Sequence, residues 1–185
     1  MAWLKKLTRS TFTTGLILTQ SALGFGADLK SVPHVDLSRY MGDWNVIALI
    51  PNFLEKDCVS SIESYALRSD GKIDNWFVCH KKDGSELKLT SLAWVHNTET
   101  NAEWRVQFNW DTFLGRIPIP LAFSYVILDL DAEAYTYTVV GHPNRKLLWI
   151  MAREKSIEAK KYEEILSKVA QQGFDPKQII TLPQH

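Results

Sequence analysis

Residues 42–51 read GDWNVIALIP, a glycine and an aspartate, then one tryptophan, then an almost unbroken apolar run that ends at a proline. A tryptophan at the head of such a strand asks for a reason, because apolar bulk is available in smaller side chains. The theme recurs outward from it as far as Arg153, in runs of large apolar residues alternating with polar ones, each closed by a turn. DWNVIALI (43–50), CVSSIESYALR (58–68), KIDNWFVCHK (72–81), ELKLTSLAWV (86–95), AEWRVQFNW (102–110), AFSYVILDL (122–130), AYTYTVVG (134–141) and KLLWIMAR (146–153) read as strands. The connectors are mostly short and polar and contain Gly, Asn, Asp or Pro, which describes an up-and-down antiparallel meander. Eight such strands escape the hazard of open edges by closing into a β-barrel.

One stretch departs from the theme. FNWDTFLGRIPIPLAF (108–123) carries Pro118 and Pro120, which cannot donate ladder hydrogen bonds, so it reads as a long apolar loop or an edge segment. Its Phe113, Leu114, Ile117, Ile119 and Leu121 form either a lid over the barrel's own core or a patch, from Phe113 to Leu121, for membrane contact or a homodimer. After Arg153 the period changes. Ser156 is placed to cap a helix over 157–172 with Ile157, Tyr162, Ile165, Leu166 and Val169 on one face and Gly173 as its stop. A lone amphipathic helix needs a surface, and the outer wall of the barrel offers one. The tail FDPKQIITL (174–182) offers a ninth short strand, to the sheet edge or to a partner. The fold class is therefore mainly β, an eight-stranded up-and-down antiparallel barrel with one C-terminal α-helix packed outside.

The 185 residues suit one domain with a substantial core. Lys5, Lys6 and Arg9 ahead of an apolar stretch from Phe12 to Leu23, followed by Gly24 and Gly26, predict a secretory signal peptide over 1–26 and a barrel domain over 27–185. The apolar run is short for a membrane span and is interrupted by threonines, Gln20 and Ser21. Loss of the leader would leave 18 basic against 21 acidic side chains. A mildly acidic surface without a basic run argues against nucleic acid as a partner and against strong capture by anionic headgroups. The two cysteines flank a hairpin about its turn RSDGK: Cys58 and Cys79 fall about two residues from direct opposition. A bulge or a diagonal contact would bring the sulfurs together in a disulfide; two free thiols are the alternative. Two cysteines with His80 lack the spacing of a zinc site, and no metal is expected.

Alternation from Trp44 places Val46, Ala48 and Ile50 on one face. Later strands add Tyr65, Leu67, Phe77, Ala93, Trp104, Val106, Phe108, Tyr125, Ile127, Tyr137, Val139, Leu147, Trp149 and Met151. That face is apolar and aromatic, with tyrosine hydroxyls as its polar anchors. Such an interior is either solid core or a cup for one small ligand. Glu63 falls inward by alternation from Tyr65 unless a bulge turns it out; inward, it would be a head-group partner or a buried acid. His80, His96 and His142 sit at strand ends or turns, where histidines are usually solvated.

Gly42-Asp43-Trp44, the segment YTYTVVGHPNRKLLWIMAR (135–153), the FLGRIPIPLAFSYVILDLD stretch (113–131) and a helix followed by GFDPKQI together resemble the lipocalins, specifically the bacterial and apolipoprotein D-like branch, over roughly residues 39 to 182. The resemblance implies that Gly42 permits the turn into the first strand, Trp44 closes the barrel floor and Arg153 packs across it. It implies a binding protein rather than an enzyme, without a cofactor, that stores or carries a fatty acid or lysophospholipid in the cell envelope. The candidate ligand-binding residues are Tyr65, Phe77, Trp104, Phe108, Tyr125, Tyr137 and Trp149. The alternative is an isomerase-type enzyme acting on a lipid in the same barrel; no HExxH, nucleophile triad order or phosphate-binding glycine loop is present. Many bacterial members carry a lipidated cysteine at the signal cleavage site, which SALGFGADL lacks, so a periplasmic or secreted protein is expected.

Overall fold

The computed structural model describes residues 28–112 and 115–184, and the side chains of all of these except 110–112, 115–116 and 118–119. The proposed leader, Phe113 and Leu114 lie outside the described residues. A short helix α1 (Leu37–Tyr40) precedes eight strands: β1 (Gly42–Leu49), β2 (Cys58–Leu67), β3 (Ile73–Lys81), β4 (Glu86–Asn97), β5 (Glu103–Thr112), β6 (Gly115–Leu130), β7 (Tyr137–Gly141) and β8 (Leu148–Ala152). Helix α2 (Ala159–Gln171), a 3-10 turn (Pro176–Gln178) and a two-residue strand β9 (Ile180–Thr181) follow. Each strand pairs antiparallel with the next, and β1 pairs with both β8 and β2, which closes the barrel.

The meander fixes two unlike ends. The turns after β2, β4 and β6 lie at the end where β1 begins, and α1 is tied over that end. Val35 N–H donates to the Thr100 carbonyl at 2.8 Å and Asp36 N–H to the Tyr135 hydroxyl at 2.8 Å. The long β1–β2 loop and the turns after β3, β5 and β7 ring the opposite end. β1 pairs with β2 only over Gly42–Asn45, so the strands part toward that end, and β9 fills the gap by pairing Thr181 with Ala48 and Ile180 with Leu49. The tail strand thus joins its own sheet.

The stretch read as a loop or edge is an edge. β5 and β6 continue as a hairpin through Asn109↔Pro118 and Thr112↔Gly115, whereas β7 reaches only as far as Val126 of β6. Residues 115–125 therefore have β5 on one side and no partner strand on the other among the described residues. Prolines two residues apart direct their missing N–H groups to the same side of a strand, and an unpartnered edge tolerates that.

Helix α2 lies on the outer wall. Ile165, Val169 and the following Phe174 bury against Ala48, Ile50, Val126, Leu128, Val139, Leu148 and Ile150, and Lys168 reaches Asp129 at 2.8 Å. Ser156 falls outside the helix. Glu158 occupies the N-cap without a side-chain cap bond, and Gly173 follows the C-terminus at φ +87°. The wall beneath α2 corrects four inward assignments, Ala48, Ile50, Tyr137 and Val139. A bulge between Val46 and Ala48 flips Ala48 and Ile50 outward, under the helix. Thr138 opposes Met151 and Val140 opposes Trp149, so Thr138 and Val140 face the interior while Tyr137 and Val139 face out. A bulge between Ile127 and Asp129 in the neighbouring strand accommodates the change of phase.

Cys58 and Cys79 are bonded, with their Cα atoms 5.5 Å apart. The register explains how: Ser61 opposes Cys79, and a bulge between Cys58 and Ser60 draws Cys58 back toward it.

Candidate functional site

The closed end is a stack of aromatic rings. Trp44 is fully buried and donates its indole N–H to the Tyr40 carbonyl at 2.8 Å. The Arg153 guanidinium lies 3.7 Å above its ring and donates to the carbonyls of Asp43, Arg39 and Met41 at 2.7, 2.9 and 2.8 Å. A cation over an indole contributes about 0.5 to 2 kcal/mol, and the donated bonds satisfy carbonyls of the turn into β1. Gly42 is needed here because its φ is +91°, and a Cβ would stand 3.4 Å from Arg153 Nη1. Above Trp44, Tyr40 packs edge-on against Trp104 at 5.2 Å, and Trp104 stacks on Tyr125 at 5.0 Å with an 8° interplanar angle. Three hydroxyls meet on the upper face of this floor. Tyr125 Oη is 3.0 Å from Tyr40 Oη and 2.8 Å from Tyr65 Oη, and burial raises the pKa of all three tyrosines.

Over the floor the barrel is hollow. A cavity of about 400 Å³ extends from Tyr65, Tyr125 and Met151 up to Phe53, Leu54 and His142 at the open end, a size within the range of small-molecule sites. Five of the seven candidate residues line it: Tyr65, Phe77, Phe108, Tyr125 and Trp149. Trp104 belongs to the floor beneath, with its N–H donated to the Asn101 carbonyl at 2.7 Å. Tyr137 lies on the outer wall near α2, with Lys161 Nζ 5.9 Å from its ring centre and its hydroxyl 3.4 Å from Asp129. Alternation along the strand could not reveal that placement, since the phase is set by pairing with β8.

Two acids also face the hollow. Glu63 does point inward: the bulge in its strand sits at Cys58–Ser60, on the mouth side, and leaves the alternation from Tyr65 to Glu63 intact. Asn75 Nδ2 donates to Glu63 Oε2 at 2.5 Å, and Asn75 Oδ1 accepts from Ser91 at 2.7 Å. Desolvation, opposed by the Asn75 bond and reinforced by Glu55, pushes the Glu63 carboxyl up to about 8. Glu55, on the β1–β2 loop, was not singled out from the sequence, where it stands in a polar connector. It is buried and accepts from Trp149 Nε1 at 3.2 and 3.0 Å and from the amide of Asn52, with burial raising its pKa.

A family model described as a lipocalin-like domain matches residues 35–184. The chain is a lipocalin. This lipocalin is 27% identical over 91% of its length to the outer membrane lipoprotein Blc of Vibrio cholerae, of which it covers 94%. It is 28% identical to temperature-induced lipocalin-1 of Arabidopsis thaliana, over 85% of this chain and 83% of that one. Among solved structures, insecticyanin of the tobacco hornworm Manduca sexta superposes with a TM-score of 0.65 at 18% identity, covering 86% of each chain, which shows the shared fold. The bacterial relatives support the bacterial branch. Lipocalins generally bind small hydrophobic molecules, and the hollow of this lipocalin is where one fits.

Proposed function

We propose that the chain carries one single-chain amphiphile, a fatty acid or lysophospholipid, in its barrel cavity, and that it stores or ferries lipid within the cell envelope. The observation that carries this reading is the apolar, aromatic-lined space of about 400 Å³, sealed by Trp44 below and open above. Burying about ten methylenes at roughly 0.8 kcal/mol each gives a gross gain near 8 kcal/mol, enough for about micromolar affinity if ordering costs stay small. The Cys58–Cys79 bond fits an oxidising compartment, and bacterial relatives are named outer membrane lipoproteins. Release into the periplasm or outside the cell follows if the leader is removed at a site without cysteine. Exposed Phe53, Ile117 and Leu121, on the loop and hairpin of the open end, suit brief contact with the membrane that supplies the ligand.

Native mass spectrometry of the protein purified from its own host, followed by lipid identification, tests this. A stoichiometric single-chain lipid is expected. Protein that arrives empty, and that takes up neither lysophospholipid nor fatty acid after delipidation, overturns the reading.

A further inference from the structure

Two carboxyls stand out among the polar groups of the cavity. Among the described residues its lining contains Glu55 and Glu63, with His142 at the mouth and no lysine or arginine, so an anionic group drawn below the mouth meets two carboxyls and no fixed cation. Glu55 has both oxygens engaged by Trp149 and Asn52. Glu63 does not: Oε2 accepts from Asn75, while Oε1 has no hydrogen-bond partner among the described residues. The relay from Ser91 through Asn75 delivers a donated N–H to Glu63, which holds the carboxyl as an acceptor. Glu63 opposes Phe77 in the sheet, one inward step above Tyr65, so this acceptor stands at mid-depth among aromatic rings. Phe77, Phe108 and Trp149 offer ring faces, which attract cations and not anions.

We infer that the cavity selects amphiphiles whose polar end is a protonated amine, seated on Glu63 Oε1 with the apolar chain along the aromatic wall. This rests on the reading that the cavity takes a single-chain amphiphile, and it adds the chemistry of the group that is drawn inside. An ammonium supplies the donors that Oε1 lacks and gives the ionised carboxyl a counter-charge in the hollow. A carboxylate of the same chain length can bind only with its head left at the mouth.

The test is calorimetric titration of delipidated protein at about pH 9, where the Glu63 carboxyl is ionised and an alkylammonium still holds its proton, with dodecylamine, dodecanol and dodecanoic acid, which share one chain and differ in the head. Dodecylamine is expected to bind about tenfold more tightly than either of the others, the size of effect that one charge-assisted hydrogen bond gives. Glu63→Gln is expected to bring dodecylamine level with dodecanol. Dodecanoic acid binding as well as the amine, or an amine preference that survives Glu63→Gln, overturns the inference and leaves the carrier reading intact. Failure of all three to bind overturns both. Should Glu63→Gln not fold, the wild-type ranking of amine over alcohol and acid still decides.

Discussion

Glu63→Gln should change how stability depends on pH, independently of any ligand. The folded carboxyl sits at about 8, against an ordinary value of 4.5 in the unfolded chain. Between those values the folded protein holds a proton that the unfolded chain has released, so stability falls as pH rises, by about 1.36 kcal/mol per pH unit. From about pH 5.5 to 7.5 the wild type should therefore lose roughly 2.7 kcal/mol on account of this one group. Glutamine keeps the shape and can still accept from Asn75, but it carries no charge and contributes no slope. For a domain of this size each kcal/mol moves the melting temperature by about 2 to 4 °C, so Tm of the variant minus Tm of the wild type should grow by about 5 to 10 °C across the window. The groups facing Glu63 are Glu55 from the mouth loop and the hydroxyls of Tyr65 and Tyr40. The tyrosines stay neutral throughout, and Glu55 contributes a slope of the same sign to both proteins. Thermal unfolding followed by circular dichroism in matched buffers reads the difference. Parallel wild-type and variant curves would refute the placement of an acid in a water-poor hollow.

Trp44→Ala should cost about 3 to 5 kcal/mol, through the cavity left beneath Tyr40 and the loss of the ring under Arg153; denaturant titration showing under about 1 kcal/mol would contradict a plugging role. Replacing Cys58 and Cys79 together by serine opens a loop with a sequence separation of 21 and should cost about 3 kcal/mol, seen as matched destabilisation of the double variant and the reduced wild type. Gly141→Ala would place a Cβ 2.6 Å from Leu128 Cδ1 and 2.7 Å from Phe174 Cζ. The overpacking should cost about 1 to 3 kcal/mol and loosen the seat of Phe174, checked by chemical denaturation and by faster hydrogen exchange in α2.

The strands, the helix on the outer wall and the disulfide were legible because each rests on a local pattern that the fold leaves in place. The Trp44–Arg153 floor was legible through resemblance to a family. What escaped depends on pairing. The phase of β7 is decided by its register with β8, so Tyr137 counted as inward by twos and lies outside instead. Ala48 and Ile50 were displaced by one bulged residue after Val46. Pro118 and Pro120 fit a loop and an edge strand equally, and the choice of edge is decided by how far β7 reaches along β6, which no local pattern records. Helix α1 spans only Leu37–Tyr40, too short to leave a periodic trace, yet it delivers Tyr40 to the floor. Glu55 was invisible for a further reason, since only the closure of the β1–β2 loop over Trp149 brings it inside.

The floor and the wall of this barrel treat their polar groups in opposite ways. At the floor the Trp44 N–H and the Arg153 guanidinium are bonded to backbone carbonyls, and neither is left for a ligand to engage. On the wall, Glu63 is held by one donor on one oxygen, while the other oxygen faces open space. The fold does not need that carboxyl: Asn75 also approaches the Ser64 carbonyl at 3.4 Å and accepts from Ser91, so an apolar residue at 63 would leave both side chains partnered and would relieve the desolvation that raises its pKa. A half-buried acid that weakens its own domain as pH rises marks the wall as the part of the barrel that a ligand would complete.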